Sequence, residues 1–174
     1  PQDEPPVQPA GYAFSIWGVI NLWLNASGVY GVWRRREDPA WDAARLPLIL
    51  SLAIGTPWIW VANTSAIWST VLIWMMLLTA AWALLSGPRR EVGWFAGPVG
   101  LYAGWLTAAS FVATGTVQAG YGLGFDALGW AYAGVPAAVA GALVGLWMLR
   151  NVAYGIAIVW AAIGIVIANL SVVP

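Results

Sequence analysis

The stretch AIWSTVLIWMMLLTAAWALL, residues 66–85, contains no charged residue, and SGPRR at 86–90 follows it directly. A helix of about 20 apolar residues is long enough to cross the hydrocarbon core of a bilayer. Five other stretches have the same character, and charged or polar connectors separate them. The sequence therefore predicts an all-α, polytopic transmembrane bundle of six helices, at residues 11–33, 46–63, 66–85, 95–118, 129–149 and 152–172.

The composition agrees with this class. Of the 174 residues, 61% are hydrophobic and 8% are charged, whereas soluble domains have about 25% charged residues. Formal net charge is zero and there is no lysine, which argues against nucleic-acid binding. Cysteine and histidine are both absent, so we predict no metal site, no thiol or imidazole catalysis and no catalytic residue.

The arginines predict the orientation. They occur only in alternate connectors, as Arg34, Arg35, Arg36, Arg45, Arg89, Arg90 and Arg150. Short positively charged loops stay in the cytoplasm, so both ends of this chain are expected on the outer face. The chain opens with PQDEPPVQP and not with methionine, and we expect an upstream signal peptide or first helix.

Prolines and glycines predict local features of the helices. Pro57 is expected to kink the second helix, whereas Pro47 and Pro98 suit the first turn of a helix. Small residues at four-residue spacing favour close helix packing. We expect these seams within one chain, with contact between two chains as the alternative, at Gly93/Gly97, Gly100/Gly104, Gly120/Gly124 and Gly141/Gly145.

The polar groups within the spans are amides and hydroxyls. Asn21 and Asn25 lie one turn apart on the first helix, and an amide in hydrocarbon needs a partner. We expect this face to point into the bundle, where it serves either as a structural link or as a ligand contact.

The chain has 14 tryptophans. Many are expected in the belts at the two membrane interfaces, namely Trp33, Trp41, Trp94 and Trp147 at one face and Trp58, Trp60, Trp68 and Trp130 at the other. Four others lie near the middle of their spans: Trp23, Trp74, Trp105 and Trp160. These four either line an aromatic pocket for a planar apolar ligand or fill the core, and the sequence leaves both interpretations open.

Two runs carry a family resemblance. PAGYAFSIWGVINLWL at 9–24 and GPVGLYAGWLTAASFVATG at 97–115, together with the tryptophans, resemble the TspO/MBR family in a divergent bacterial branch. These are the tryptophan-rich sensory proteins related to the mitochondrial translocator protein. The family's motifs match three groups of residues here: Pro9, Tyr12, Phe14 and Trp17; Thr56, Pro57, Trp58 and Trp60; and Pro98, Tyr102, Trp105, Thr107, Ala108 and Ala109.

The resemblance implies an organisation. Residues 11–118 would form a TspO-like core of four helices, residues 119–174 would add two transmembrane helices, and residues 1–10 would be a polar segment on the outer face. The location implied is the bacterial inner membrane.

The resemblance also implies a function. A TspO-like sensor or regulator would bind a tetrapyrrole, a lipid or another apolar ligand between the first four helices, with no covalent cofactor, often as a homodimer. Light-dependent porphyrin breakdown is known in the family. From the resemblance and the mid-span argument together, we predict a ligand site at Trp17, Asn21, Trp23, Trp58, Trp60, Trp74, Tyr102 and Trp105.

Two alternatives remain at the level of sequence. The chain could be an accessory subunit of a larger, pigment-binding membrane complex, docking through its last two helices. It could also transport small apolar molecules, although no internal repeat of the kind found in transporters is evident.

Overall fold

The computed structural model describes residues 9–122 and 127–170, and side chains are described outside 127–133. Within these residues the regular structure is entirely helical. A 3₁₀ turn, Gly11–Ser15, leads into the first helix, and a turn of π-helix, Val92–Ala96, leads into the fifth. The helices are α1 (Ile16–Arg34), α2 (Pro39–Gly55), α3 (Trp58–Thr64), α4 (Ala66–Ser86), α5 (Gly97–Gly120), α6 (Ala127–Leu149) and α7 (Val152–Leu170).

The six predicted spans are confirmed as helices, and the second is broken as expected at Pro57. Helix α2 ends at Gly55, and α3 begins at Trp58. Proline has no N–H to continue the backbone ladder. The Thr56 hydroxyl donates to the carbonyl of Leu52 at 3.0 Å and so pairs one of the last carbonyls of α2.

The predicted start of the second span was wrong. Helix α2 begins at Pro39, because Asp38 accepts a hydrogen bond from the N–H of Ala40 at 2.9 Å and proline suits the first helical position. Pro47 therefore lies inside α2, not in its first turn. Pro98 does lie at the start of α5, as predicted.

Helix α5 is the centre of the bundle. It contacts α1, α4, α6 and α7, while α2 packs mainly on α4. Two of the predicted glycine pairs, Gly100/Gly104 and Gly141/Gly145, pack within the chain, but a methyl group at Gly93 or Gly120 would meet no atom within 4 Å, so the prediction is wrong at those two positions. A methyl group at Gly100 would collide with the side chain of Asn151, and one at Gly104 with the backbone of Tyr154. On α6, Gly141 and Gly145 meet Phe111 and Tyr154 in the same way. Gly124 lies outside the described residues.

The three connectors that carry arginine meet at one end of the bundle. Arg35 donates to Glu91 at 2.8 Å, which joins the α1–α2 connector to the segment before α5, and this hydrogen bond raises the pKa of the Arg35 guanidinium. Asn151, next to Arg150, donates to the carbonyl of Ala96 at 2.7 Å. The placement of this arginine end in the cytoplasm stays a prediction.

Among the residues that the structure describes, four helical segments are long and apolar enough to span a membrane: Pro39–Thr64, Ala66–Ser86, Val92–Gly120 and Val152–Leu170. The arginine-side and far-side belts are only partly as predicted. Trp33, Trp60, Trp68 and Trp147 are exposed, but Trp41 is 4% exposed, because its ring packs against Gly31 and edge-on against Phe95. The side chain of Trp130 lies outside the described set.

Candidate functional site

Three of the predicted site residues come together between α1 and α5. The ring centroid of Trp17 lies 6.2 Å from that of Tyr102 and 6.5 Å from that of Trp105. Phe14 meets Trp105 edge-on, with 5.8 Å between the ring centroids. Tyr102 and Trp105 are 1% and 2% exposed. We call Phe14, Trp17, Tyr102 and Trp105 the aromatic cluster.

The hydroxyl of Tyr102 ties the aromatic cluster to α2 and α4. Ser51 donates its only hydroxyl hydrogen to the carbonyl of Met76 at 2.7 Å. The 3.1 Å contact between Ser51 and Tyr102 must then have Tyr102 as its donor. The hydroxyl hydrogen of this tyrosine is therefore already used inside the fold.

Three further predicted residues link different helical segments through their indole N–H groups. Trp23 donates to the carbonyl of Gly93 at 2.7 Å, Trp58 to that of Ser69 at 3.0 Å, and Trp74 to the Thr114 hydroxyl at 3.0 Å. Trp160, the fourth mid-span indole, donates to the carbonyl of Ala13 at 2.9 Å. An indole buried in hydrocarbon needs such a partner, and here the neighbouring segments supply it.

The remaining two predicted residues lie on the surface of the bundle. Trp60 is 72% exposed, and Asn21 is exposed as well. The expectation that the Asn21–Asn25 face points inward is wrong for this chain, because α1 turns a different stripe toward α5: Ile16, Ile20, Leu24, Ser27 and Gly31.

A cavity that the sequence did not predict lies between α5, α6 and α7. Its volume is about 230 Å³, and it occupies the half of the bundle away from the arginine end. The described lining is almost wholly aliphatic, with one phenyl ring and one hydroxyl: Thr107, Ala108, Phe111, Val112, Gly115, Ala119, Gly134, Val135, Ala138, Val139, Ala142, Ile158, Ala161, Ala162, Ile165 and Val166. We call it the α5–α7 cavity.

Comparison with known proteins places the chain in a family. A family model described as TSPO-like protein matches residues 2–173. This chain belongs to the TSPO-like family. The comparison with curated proteins gave no match, and neither did the comparison with solved structures. The family and the apolar helices together show that the TSPO-like chain is an integral membrane protein.

The family match of the TSPO-like chain continues through α6 and α7. Those helices are also packed into the bundle, since Tyr154 of α7 is 1% exposed and lies against glycines of both α5 and α6. The division into a core at 11–118 and an addition at 119–174 stays a prediction.

Both hydroxyl groups at the polar end of the α5–α7 cavity in this TSPO-like protein donate hydrogen bonds within the fold. Tyr154 donates to the Thr107 hydroxyl at 2.9 Å, and Thr107 donates to the carbonyl of Ala103 at 2.9 Å. Neither hydroxyl keeps a hydrogen for a ligand. Among the described lining residues none is ionisable, and the described residues hold no cluster of metal-binding side chains.

Small residues at helical spacing were the available signal for this cavity. Gly134, Ala138 and Ala142 recur every fourth residue on α6 and face Ala161 and Ala162 of α7 across it. Such patterns usually indicate close packing. Here three helices meet at small side chains without closing the space between them, and that depends on helix spacing, which a sequence does not contain.

Proposed function

We propose that this TSPO-like membrane protein binds an apolar ligand taken from the bilayer in the α5–α7 cavity, and that occupancy of the cavity is the signal of a sensor or regulator. The observation that carries the proposal is an aliphatic cavity without a free hydrogen-bond donor in its described lining. We propose a role in binding, since the described lining has one hydroxyl, that of Thr107, and no acid or base that could activate it.

Entry from the side supports a ligand dissolved in lipid. Val139 and Val166 line the cavity and are nevertheless 54% and 56% exposed on the bundle. The cavity therefore reaches the surface between α6 and α7. An apolar molecule could pass from the hydrocarbon core into this space without crossing water.

The volume of the α5–α7 cavity limits the size of the ligand that it can hold. Pockets for drug-sized ligands are roughly 300 to 1,000 Å³, and an apolar cavity of about 150 Å³ holds benzene. A cavity of about 230 Å³ suits a lipid chain segment or a small polycycle. A tetrapyrrole is larger, and we propose it only as a second ligand class, to be placed at the aromatic cluster.

The first experiment fills the cavity. Ala138→Leu and Ala161→Leu put larger side chains into it, whereas Ala140→Leu adds the same atoms to an exposed position of α6 outside the lining. Titration of the purified protein with an anthracene probe in detergent should give saturable binding. We expect about tenfold weaker affinity in the two filled variants, about 1.4 kcal/mol, and none of this loss in Ala140→Leu.

Unchanged affinity in both filled variants would contradict the cavity as the site. A porphyrin titration separates the second ligand class: saturable tryptophan quenching that is lost in Trp17→Phe with Trp105→Phe, but kept in Ala161→Leu, would place a tetrapyrrole at the aromatic cluster instead.

A further inference from the structure

The described lining of the α5–α7 cavity is buried at one end and exposed at the other. Thr107, Ala142 and Ala161, which lie toward the arginine end, are all buried. Val135 and Val166, which lie toward the far end, are about half exposed. Within the described lining, the cavity is therefore closed near Thr107 and open between α6 and α7 toward the far end.

The cavity extends over about half the depth of the bundle. Its lining on α5 runs from Thr107 to Ala119, and Thr107 lies near the middle of the apolar segment Val92–Gly120. At about 1.5 Å per residue, this lining is roughly 18 Å long. Half of a hydrocarbon core is similar in length, at about 15 Å. The cavity therefore lies beside the lipid chains of one leaflet, the leaflet away from the arginine end.

The closed end of the cavity suits a methyl group and not a polar headgroup. Thr107 lies there, but its hydroxyl hydrogen is donated to a backbone carbonyl, and the hydroxyl of Tyr154 donates to Thr107. Ala142 and Ala161, at the same end, are aliphatic. Burying a polar group without a hydrogen-bond partner is costly. A molecule with one polar and one apolar end is therefore expected to enter with its apolar end first.

Both the route into the cavity and its shape fit a lipid chain. Val139 and Val166 border the gap between α6 and α7 and are exposed. Lipid chains of the neighbouring leaflet already run from the interface toward the midplane, so one chain can move sideways into the cavity without the lipid turning over. A volume of about 230 Å³ over roughly 18 Å of helix is narrow, which favours one flexible chain over a rigid polycycle.

We propose that the α5–α7 cavity holds a single acyl chain of a bilayer lipid, with the terminal methyl group beside Thr107 and the headgroup at the interface away from the arginine end. This inference rests on the proposed function and names the ligand class and its orientation. The second chain of a phospholipid would stay in the bilayer. The site would thus take its ligand from one leaflet only.

The position of a photoreactive group along the chain tests the orientation. Two phosphatidylcholines carry a diazirine in one acyl chain, either at the methyl end or beside the ester, and each is photolysed in phosphatidylcholine vesicles that contain the complete protein. The methyl-end diazirine should label the turns around Ala142 and Ala161, whereas the ester-side diazirine should label those around Val135 and Val166. The matching free fatty acids, tested in parallel, show which lipid carries the chain, and the same order of labelling from either one supports the proposal.

A variant of the closed end tests the depth of the chain. Ala142→Leu should lower label from the methyl-end diazirine at the closed end about tenfold and keep that from the ester-side diazirine. Ala140→Leu, at an exposed position outside the lining, should keep both. The reverse order of labelling, the same label from both diazirines, or methyl-end label unchanged by Ala142→Leu would each overturn the inference. Any of these leaves the proposed function standing if Ala138→Leu weakens anthracene binding, whereas anthracene binding that ignores the filled variants contradicts the cavity itself.

Discussion

At the residue scale, polar groups that are buried or partly buried in the bundle join its helices. Indole N–H groups donate across segments from Trp23, Trp74 and Trp160, and the Tyr154 hydroxyl donates across to Thr107. In hydrocarbon each such group must find a partner inside the protein. These tryptophans therefore stabilise the bundle through the hydrogen bond of the indole N–H as well as through packing of the ring.

Tyr154→Phe tests one of these links. It removes the hydroxyl that donates to Thr107 but leaves the bond from Thr107 to Ala103 in place. No donor is left unpaired, so we expect the stability of the folded protein to fall by about 1 kcal/mol. Thermal unfolding in detergent measures the change, and Tyr121→Phe, at an exposed tyrosine, is the matched control. Equal stability of the two variants would contradict the assigned role of Tyr154.

At the scale of elements, α5 organises the structure, and it approaches α7 closely at Gly104. Gly104 of α5 faces the backbone of Tyr154 and the methyl group of Ala157. Backbone atoms cannot rotate away as a flexible side chain can. The two helices can approach to this distance only if position 104 has no side chain.

Gly104→Ala tests this contact. The added methyl group must push α7 away from α5, and overpacking of this kind costs about 1 to 3 kcal/mol. Gly120→Ala adds the same group at the end of α5, where a Cβ would meet nothing within 4 Å, and should change stability little. Chemical unfolding in mixed micelles compares the two. A larger loss for Gly120→Ala than for Gly104→Ala would show that the α5–α7 packing is wrong.

Several elements could be read from the sequence because they depend on local chemistry. The lengths of the apolar runs follow from hydropathy, and the break at Pro57 follows from the missing proline N–H. The grouping of the arginine connectors follows because alternate loops lie on the same side of the bundle. The start of α2 was missed because its first turn contains Asp42 and Arg45, which read as connector. Asp38 followed by Pro39 is a helix start signal that outweighs them.

The candidate site could be predicted only in part. The structure brings Trp17, Tyr102 and Trp105 together; family motifs point to all three, and the mid-span argument points to Trp105 as well. Their binding of a ligand stays a prediction. Which side of α1 is buried could not be read, because its inner stripe of Ile16, Ile20 and Leu24 competes with the Asn21 face for the interior. The α5–α7 cavity depends on the distance between three helices, which no single stretch of sequence encodes.

At the scale of the whole molecule, the proposed ligand site is built by the last three helices. Helices α6 and α7 enclose an aliphatic cavity with α5, and the aromatic cluster lies between α1 and α5. A sensor of this design would take up its ligand laterally from the bilayer, through the gap between α6 and α7.

Photolabelling tests the central claim, ligand binding in the α5–α7 cavity, most directly. A long-chain fatty acid with a diazirine near its terminus would be activated in the presence of the reconstituted protein, and the labelled peptides would be sequenced with and without excess unlabelled acid. The account predicts competable label on the cavity lining, at residues such as Phe111, Ala138 and Ile158. Competable label confined to α1, α2 and α4, with none on α6 or α7, would contradict it.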